Sequence, residues 1–120
     1  MSPSRRATLA APLAMLLAAP TARAQATWPE KGLRIIVPLS PGGIADILAR
    51  LLAEQLQMRL GRPVVVENRA GAGGAIGMEA VARAAPDGYT LGMGNIAAAI
   101  LPALMRGWLP YDPVRDFTPI

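Results

Sequence analysis

Short apolar runs, glycine-containing loops and helical repeats alternate along this sequence from residue 32 onward. GLRIIVP (32–38) is a continuous apolar run rich in Ile and Val, which is typical of a strand buried on both faces. RPVVVEN (62–68) and the shorter run YTLGM (89–93) are predicted as the second and third strands. The order β-α-β-α-β predicts an α/β fold with a parallel sheet, which helices cover through right-handed crossovers.

The two helical segments carry apolar residues at steps of three and four. The first is predicted to end at Gly61, because a helix commonly stops at a glycine in the left-handed conformation. Its predicted buried residues are Ile44, Ile47, Leu48, Leu51, Leu52 and Leu56, and its predicted outer residues are Arg50, Glu54, Gln57 and Arg59. The second helix is predicted to bury Ile76, Ala80, Val81 and Ala84.

The first 24 residues have the organisation of a secretory signal peptide. Arg5 and Arg6 precede an apolar run over residues 9–19, and Ala22-Arg23-Ala24 forms an A-x-A cleavage signal. The apolar run is too short to span a bilayer, so a permanent anchor is the weaker interpretation. We therefore expect cleavage after Ala24, or after the overlapping 24–26 signal, and an exported protein. Both Sec and twin-arginine export remain open.

Charge and residue types narrow the function classes. Three of the 12 basic residues lie in the signal segment, so 9 basic residues remain against 8 acidic ones. A mature chain near +1 with scattered basic residues gives no electrostatic support for nucleic-acid binding. The sequence contains no Cys and no His, which removes thiolate nucleophiles, zinc clusters and His-based general bases. We predict no enzyme activity, no catalytic residue, no metal site and no cofactor.

Three loops of small residues follow the predicted strands. They are PLSPGG (38–43), NRAGAGG (68–74) and GNIA (94–97), called here the first, second and third loop. In an open parallel sheet, ligands bind where such loops gather, and the N–H groups at a helix start favour an anion. The predicted ligand-binding residues are Ser40, Pro41, Gly42, Gly43, Asp46, Asn68, Gly73, Gly74 and Asn95.

These residues also have structural interpretations that stay open at this point. The glycines could serve only the turns, and Asp46 could close back on the helix start as in a capping box. Asn68 and Asn95 could be present because asparagine tolerates positive φ. A dinucleotide site is a further alternative, but residues 71–77 read G-x-G-x-x-x-G, and the third strand ends at Gly94-Asn95 without an acidic residue to bind a ribose hydroxyl.

The segments 28–52, 60–94 and 109–120 together resemble the substrate-binding receptors of tripartite tricarboxylate transporters, the Bug or TctC-type periplasmic proteins. ENRAGAGG, APDGYTL and PYDPVRDF carry this resemblance. It implies a type II periplasmic-binding-protein-like fold with two lobes, which close on a ligand by a hinge motion. It also implies a monomeric receptor that captures a small organic acid and passes it to membrane permease subunits. The first and second loops would grip a ligand carboxylate through backbone amides and ordered waters.

The resemblance also suggests a domain organisation. Residues 25–108 would form most of the first lobe, and the proline-containing segment 109–120 would be an extended connection toward a second lobe. We expect the chain to be the opening part of a longer protein, with a non-functional truncated receptor as the alternative. Family members commonly carry a hydroxyl residue before the Asp of the first loop, whereas this chain has Ile44-Ala45. Near the third loop, Leu101 replaces the Asn that often precedes Pro, and both departures favour an acid with an apolar or aromatic body.

Overall fold

The computed structural model describes residues 27–94, 97–98, 105 and 107–120. Its elements are β1 (Leu33–Val37), α1 (Ile44–Leu60), β2 (Val64–Asn68), α2 (Ala75–Ala82) and β3 (Thr90–Gly92), with one 3-10 turn (Ala72–Gly74) before α2. The predicted β-α-β-α-β order is therefore confirmed, with strands somewhat shorter than predicted. The signal segment, Asn95 and most of the stretch around Leu101 lie outside the described residues.

The three strands form one parallel sheet in the order β2-β1-β3. β1 lies in the centre, and Ile35, Ile36 and Val37 are at most 1% exposed. Val37 is paired with Asn68 of β2, and Ile36 with Gly92 of β3. The loops that follow all three strands consequently begin at the same edge of the sheet.

The two helices cover opposite faces of this sheet. Ala49 and Ala53 of α1 pack against Ile35 and Val37 in one core cluster. Side chains alternate along a strand, so the buried Ile36 points to the other face, where α2 lies against β1 and β3. This is the arrangement that right-handed crossovers on both sides of a parallel sheet produce.

The predicted buried face of α1 is wrong in most positions. Its buried residues are Asp46, Ala49 and Ala53, and Leu56 is the one predicted residue that packs against the core cluster. The other five, between 41% and 80% exposed, are Ile44, Ile47, Leu48, Leu51 and Leu52. Apolar residues occupy most of the circumference of this helix, and the small alanine side chains allow it to lie close to the sheet. The predicted cap at Gly61 is confirmed, with φ +63° and a bond from its N–H to the Gln57 carbonyl.

The buried face of α2 differs from the prediction in the same way. Ala75, Gly77 and Met78 are buried, whereas Ile76 is 51% exposed. The other three predicted residues, Ala80, Val81 and Ala84, are half-buried. Small residues again make the closest contacts, because they let the helix backbone approach the strands.

Segment 109–120 packs against α2 although its residues form neither helix nor strand. Tyr111 is buried with Ala75 and Met78, and its ring meets that of Phe117 edge-on at a centroid distance of 5.5 Å. Asp112 accepts hydrogen bonds from the N–H groups of Val114 and Arg115, which forms a turn at 113–115. The role of this segment as a connection to a second lobe stays a prediction.

Candidate ligand-binding site

The three loops begin side by side at the carboxyl edge of the sheet. The Arg69 N–H donates to the Val37 carbonyl at 2.8 Å, and the Met93 N–H donates to the Ile36 carbonyl at 2.9 Å. These bonds continue the strand pairing to the last strand residues. The edge predicted from the sequence to hold a ligand is therefore formed by the described parts of all three loops.

The first loop leaves the start of α1 open. Gly42 has φ +87°, which favours glycine, and Gly43 is the extended N-cap residue of the helix. The first bond of the helix runs from the Ile47 N–H to the Gly43 carbonyl at 3.0 Å, so the N–H groups of residues 44–46 have no acceptor within the helix. Ser40, Pro41, Gly42 and Gly43 are all exposed. A ligand could therefore reach the backbone here.

Asp46 lies at the base of the first loop and is 4% exposed. Its Oδ2 accepts hydrogen bonds from the Gly42 N–H at 2.9 Å and from Arg50 Nε at 3.1 Å. Its Oδ1 accepts from Asn68 Nδ2 at 3.0 Å and lies 3.1 Å from Arg50 Nη2. The bond from Arg50, followed by those from Gly42 and Asn68, lowers the pKa of Asp46 to about 2. The carboxylate is therefore ionised near neutral pH.

The contacts of Asp46 resemble a capping box that is displaced by one residue. In a capping box the side chain three residues into the helix accepts from the N-cap N–H. Asp46 accepts instead from Gly42, one residue before the N-cap Gly43. The side chain therefore holds the end of the first loop onto the helix.

Asn68 connects the first loop to the end of β2. Besides Asp46, its Nδ2 donates to the Leu39 carbonyl at 3.2 Å, and its Oδ1 accepts from Arg50 Nη2 at 3.4 Å. The positive-φ explanation for Asn68 is wrong, because Ala72 is the one non-glycine residue with positive φ in the described part of the chain. Asparagine is useful here because its side chain both donates and accepts.

The second loop depends on backbone conformation and close packing. Four successive residues have positive φ, namely Gly71, Ala72, Gly73 and Gly74. A Cβ on Gly74 would lie 2.7 Å from the Cβ of Ala98. Gly74 is therefore more than a turn residue, because its lack of a Cβ also permits the close contact with Ala98. Gly73 is exposed at the same edge.

The structure brings most of the predicted residues together. The first loop contains four of them, and two more have side chains that hold this loop: Ser40, Pro41, Gly42 and Gly43, then Asp46 and Asn68. The neighbouring second loop contains Gly73 and Gly74. Asn95 lies outside the described residues.

Sequence reasoning missed Arg50, which was predicted to face outward but binds Asp46 and Asn68. The four-residue spacing of Asp46 and Arg50 could have indicated this pair.

The described residues also limit what the site can hold. No group of three or more acidic residues, His or Cys in this part of the chain could hold a metal ion. None of the described helices has both the length and the apolar character needed to cross a membrane. The arrangement offers open backbone donors beside a carboxylate that is already paired, which suits the non-covalent binding of an anion.

The fold is that of an α/β domain with a candidate ligand-binding edge, and comparison with known proteins assigns the chain to a family. The family model described as "Tripartite tricarboxylate transporter family receptor" (TctC) matches residues 48–120, more than half of the chain. The chain belongs to this family. The resemblance found in the sequence motifs is thereby confirmed, and the dinucleotide alternative is not favoured.

Curated and solved relatives agree with this membership. A UPF0065 protein of Bordetella bronchiseptica is 43% identical over 115 residues, which cover 96% of this chain and 34% of that protein. A solved periplasmic transporter is 49% identical with a TM-score of 0.68, over 72% of this chain and 29% of the other. MatC from Rhodopseudomonas palustris, solved with bound malate, is 38% identical with a TM-score of 0.69, over 76% of this chain and 31% of MatC.

The chain spans about a third of the length of the curated relatives it matches. Two of the structural neighbours are described as a periplasmic transporter and as the periplasmic binding protein BugD, and the parallel sheet of this chain is consistent with part of a first lobe of such a fold.

Proposed function

We propose that this chain forms the first part of a periplasmic receptor that captures a small organic carboxylate for a tripartite tricarboxylate-type transporter. The observation that carries the proposal is the open helix start at the first loop. There, exposed Gly42 and Gly43 precede N–H groups that have no acceptor within the helix. Membership of the receptor family and the malate bound to MatC support the same ligand class.

Electrostatics favour an anion at this position. The positive end of the α1 dipole stabilises a negative charge by about 0.3–1 kcal/mol at an exposed site. Asp46 would oppose such a ligand if its charge were unpaired. Arg50 approaches both of its oxygens at 3.1 Å and offsets that charge. In our proposal the ligand carboxylate binds to backbone amides of the first loop, with the Ser40 hydroxyl and Gly73 of the second loop at the border of the site.

An apolar side chain beside the loop supports a ligand with an apolar or aromatic body. Ile44, the first residue of α1, is 80% exposed. It occupies the stretch where family members commonly carry a hydroxyl residue. A hydrocarbon part of the ligand could cover Ile44, whereas a small, fully polar acid would leave it in water.

The remaining parts of the proposal concern the whole protein. A second lobe would supply the other half of the binding cleft, and segment 109–120 would lead to it. The signal peptide would direct the receptor to the periplasm, where it would act as a monomer and deliver its ligand to membrane permease subunits. We propose a binding function without enzymatic activity.

Calorimetric titration of the product of the complete reading frame would test this function. The panel would contain malate, a tricarboxylate, an aromatic carboxylate and an acidic amino acid, each paired with its neutral amide as a control. We expect saturable binding of at least one acid and none of its amide. Absence of binding across the acids would overturn the proposal.

Reading the source DNA beyond the codon for Ile120 would test the proposed architecture separately. We expect an open frame that continues for at least another domain. A stop codon directly after Ile120 would favour the non-functional truncated receptor instead.

A further inference from the structure

We infer that Arg50 is a positioning residue, which holds the first loop in its ligand-binding shape by bridging Asp46 and Asn68. The inference rests on the proposed function. It assigns a role at the site to a side chain that lies on α1, outside the loops.

The contacts of Arg50 join three parts of the chain. Its Nε donates to Asp46 Oδ2, and its Nη2 lies at 3.1 Å from Asp46 Oδ1, so the guanidinium meets both carboxylate oxygens. The same Nη2 donates to Asn68 Oδ1 at the end of β2. Asp46 in turn accepts a hydrogen bond from the Gly42 N–H. Asn68 donates one to the Leu39 carbonyl. Arg50 therefore orients the two side chains that fix the first loop at both of its ends.

The same contacts decide what Asp46 can do for a ligand. Its two oxygens together have four donor contacts, from Gly42, Asn68 and two nitrogen atoms of Arg50. A carboxylate occupied in this way is unavailable to a ligand ammonium or hydroxyl group. Asp46 therefore acts on the ligand through the backbone it holds, and Arg50 cancels the charge that would repel an acid.

A second acid–arginine pair in the structure provides a matched control. Arg83 lies 2.7 Å from Glu79 on α2 with the same four-residue spacing, and its side chain is 70% exposed, compared with 56% for Arg50. Glu79 and Arg83 lie toward the end of α2, away from the glycine loop at its start. The largely exposed pair of Glu79 and Arg83 is expected to contribute little to global stability. A role specific to Arg50 should therefore change the first loop, whereas removal of Arg83 should not.

The test compares Arg50→Ala, Arg50→Lys and Arg83→Ala in the full-length protein. Amide hydrogen exchange at Gly42, read by NMR without ligand, reports directly on the bond to Asp46. We expect about tenfold faster exchange in Arg50→Ala, and about tenfold weaker binding of the acid that the wild type binds best. Lysine keeps the charge but lacks the planar fork, so Arg50→Lys should fall between wild type and Arg50→Ala. Arg83→Ala should leave both quantities unchanged.

The two readouts separate this inference from the proposed function. Unchanged Gly42 exchange in Arg50→Ala would overturn the inference, whatever the ligand affinity. An equal effect of Arg83→Ala on Gly42 would also overturn it, because the role would then be general helix stabilisation. The wild type could bind none of the acids while Gly42 exchange is still faster in Arg50→Ala. In that case the proposed function fails, and the role of Arg50 in positioning the first loop is retained.

Discussion

The first and second loops lie at the same edge of the sheet but are fixed by different forces. The first loop, 38–43, is held by polar side chains, and a Cβ on Gly42 would meet no heavy atom within 4 Å. The second loop, 68–74, consists largely of glycine and alanine and ends in close backbone contacts. The first loop should therefore respond to changes in charge and pH, and the second loop to added side-chain volume.

The largest effect is expected from Gly77→Ala, which adds volume below both loops. The new Cβ would lie 2.6 Å from Pro38 Cα and 2.7 Å from the Arg69 carbonyl oxygen. Alanine normally favours a helix by about 1 kcal/mol over glycine. Overpacking against backbone atoms should outweigh this gain and lower the free energy of unfolding by about 2–3 kcal/mol.

Chemical denaturation of the full-length protein would measure this change. Gly43→Ala is the matched control, because its Cβ would have the Ser40 carbonyl oxygen at 3.8 Å as its nearest neighbour. If both variants were equally stable, the close approach of α2 to Pro38 would be contradicted.

A second, smaller effect is expected from Asn68→Asp, which alters charge without altering volume. Aspartate cannot donate to Asp46 or to the Leu39 carbonyl, and it places a second negative charge beside the first. The pKa of Asp46 should rise well above about 2, and acid binding should weaken by about tenfold or more. Asn68→Ala, which removes the donor without adding charge, should weaken binding less. Equal affinities for the two variants would argue against a contribution of charge at this loop.

The pH dependence should also distinguish the two loops. The pKa of Asp46 is lowered from 3.8 to about 2, so its ionised form favours the folded loop above pH 3.8, and this contribution is lost as the pH falls toward 2. The Gly42 amide signal should therefore titrate with a midpoint of about 2, whereas Gly74, whose N–H donates to the Gly71 carbonyl, should show no such step. NMR in acid would record both amides. Persistence of the Gly42 step in Asp46→Asn would exclude Asp46 as its source.

The smallest effect is expected from Ser40→Ala, at an exposed position of the first loop. An exposed substitution of this kind should change the free energy of unfolding by less than about 0.5 kcal/mol. If the hydroxyl donates to the ligand, acid binding should weaken about threefold to tenfold by calorimetry. Unchanged affinity would restrict the contacts of the first loop to its backbone.

The helices illustrate which parts of the structure were predictable. Periodicity predicted where α1 lies, and Gly61 marked its end, because a glycine cap is a local property of the chain. The buried face was predicted from the largest side chains, and the helix instead packs through Ala49 and Ala53. With apolar residues around most of the helix, the pattern alone could not indicate which side meets the sheet.

The candidate site shows the same division. The strand-loop-helix order placed Ser40, Gly42, Gly43 and Asn68 at one edge, because parallel strands end on the same side of a sheet. The partners of Asp46 were not predictable in full. Asn68 is 22 residues away along the chain, and its contact with Asp46 depends on the pairing of β2 with β1.

The sequence by itself determined the element order, the glycine positions that the turns require and the family motifs, since these depend on local conformation and on the order of residues. Only the tertiary structure decided that Arg50 also reaches Asn68, that alanines form the contact face of α1 and that Gly77 lies against Pro38. Those outcomes depend on distances between segments that are far apart in sequence, and a distance of this kind exists only once the sheet has formed.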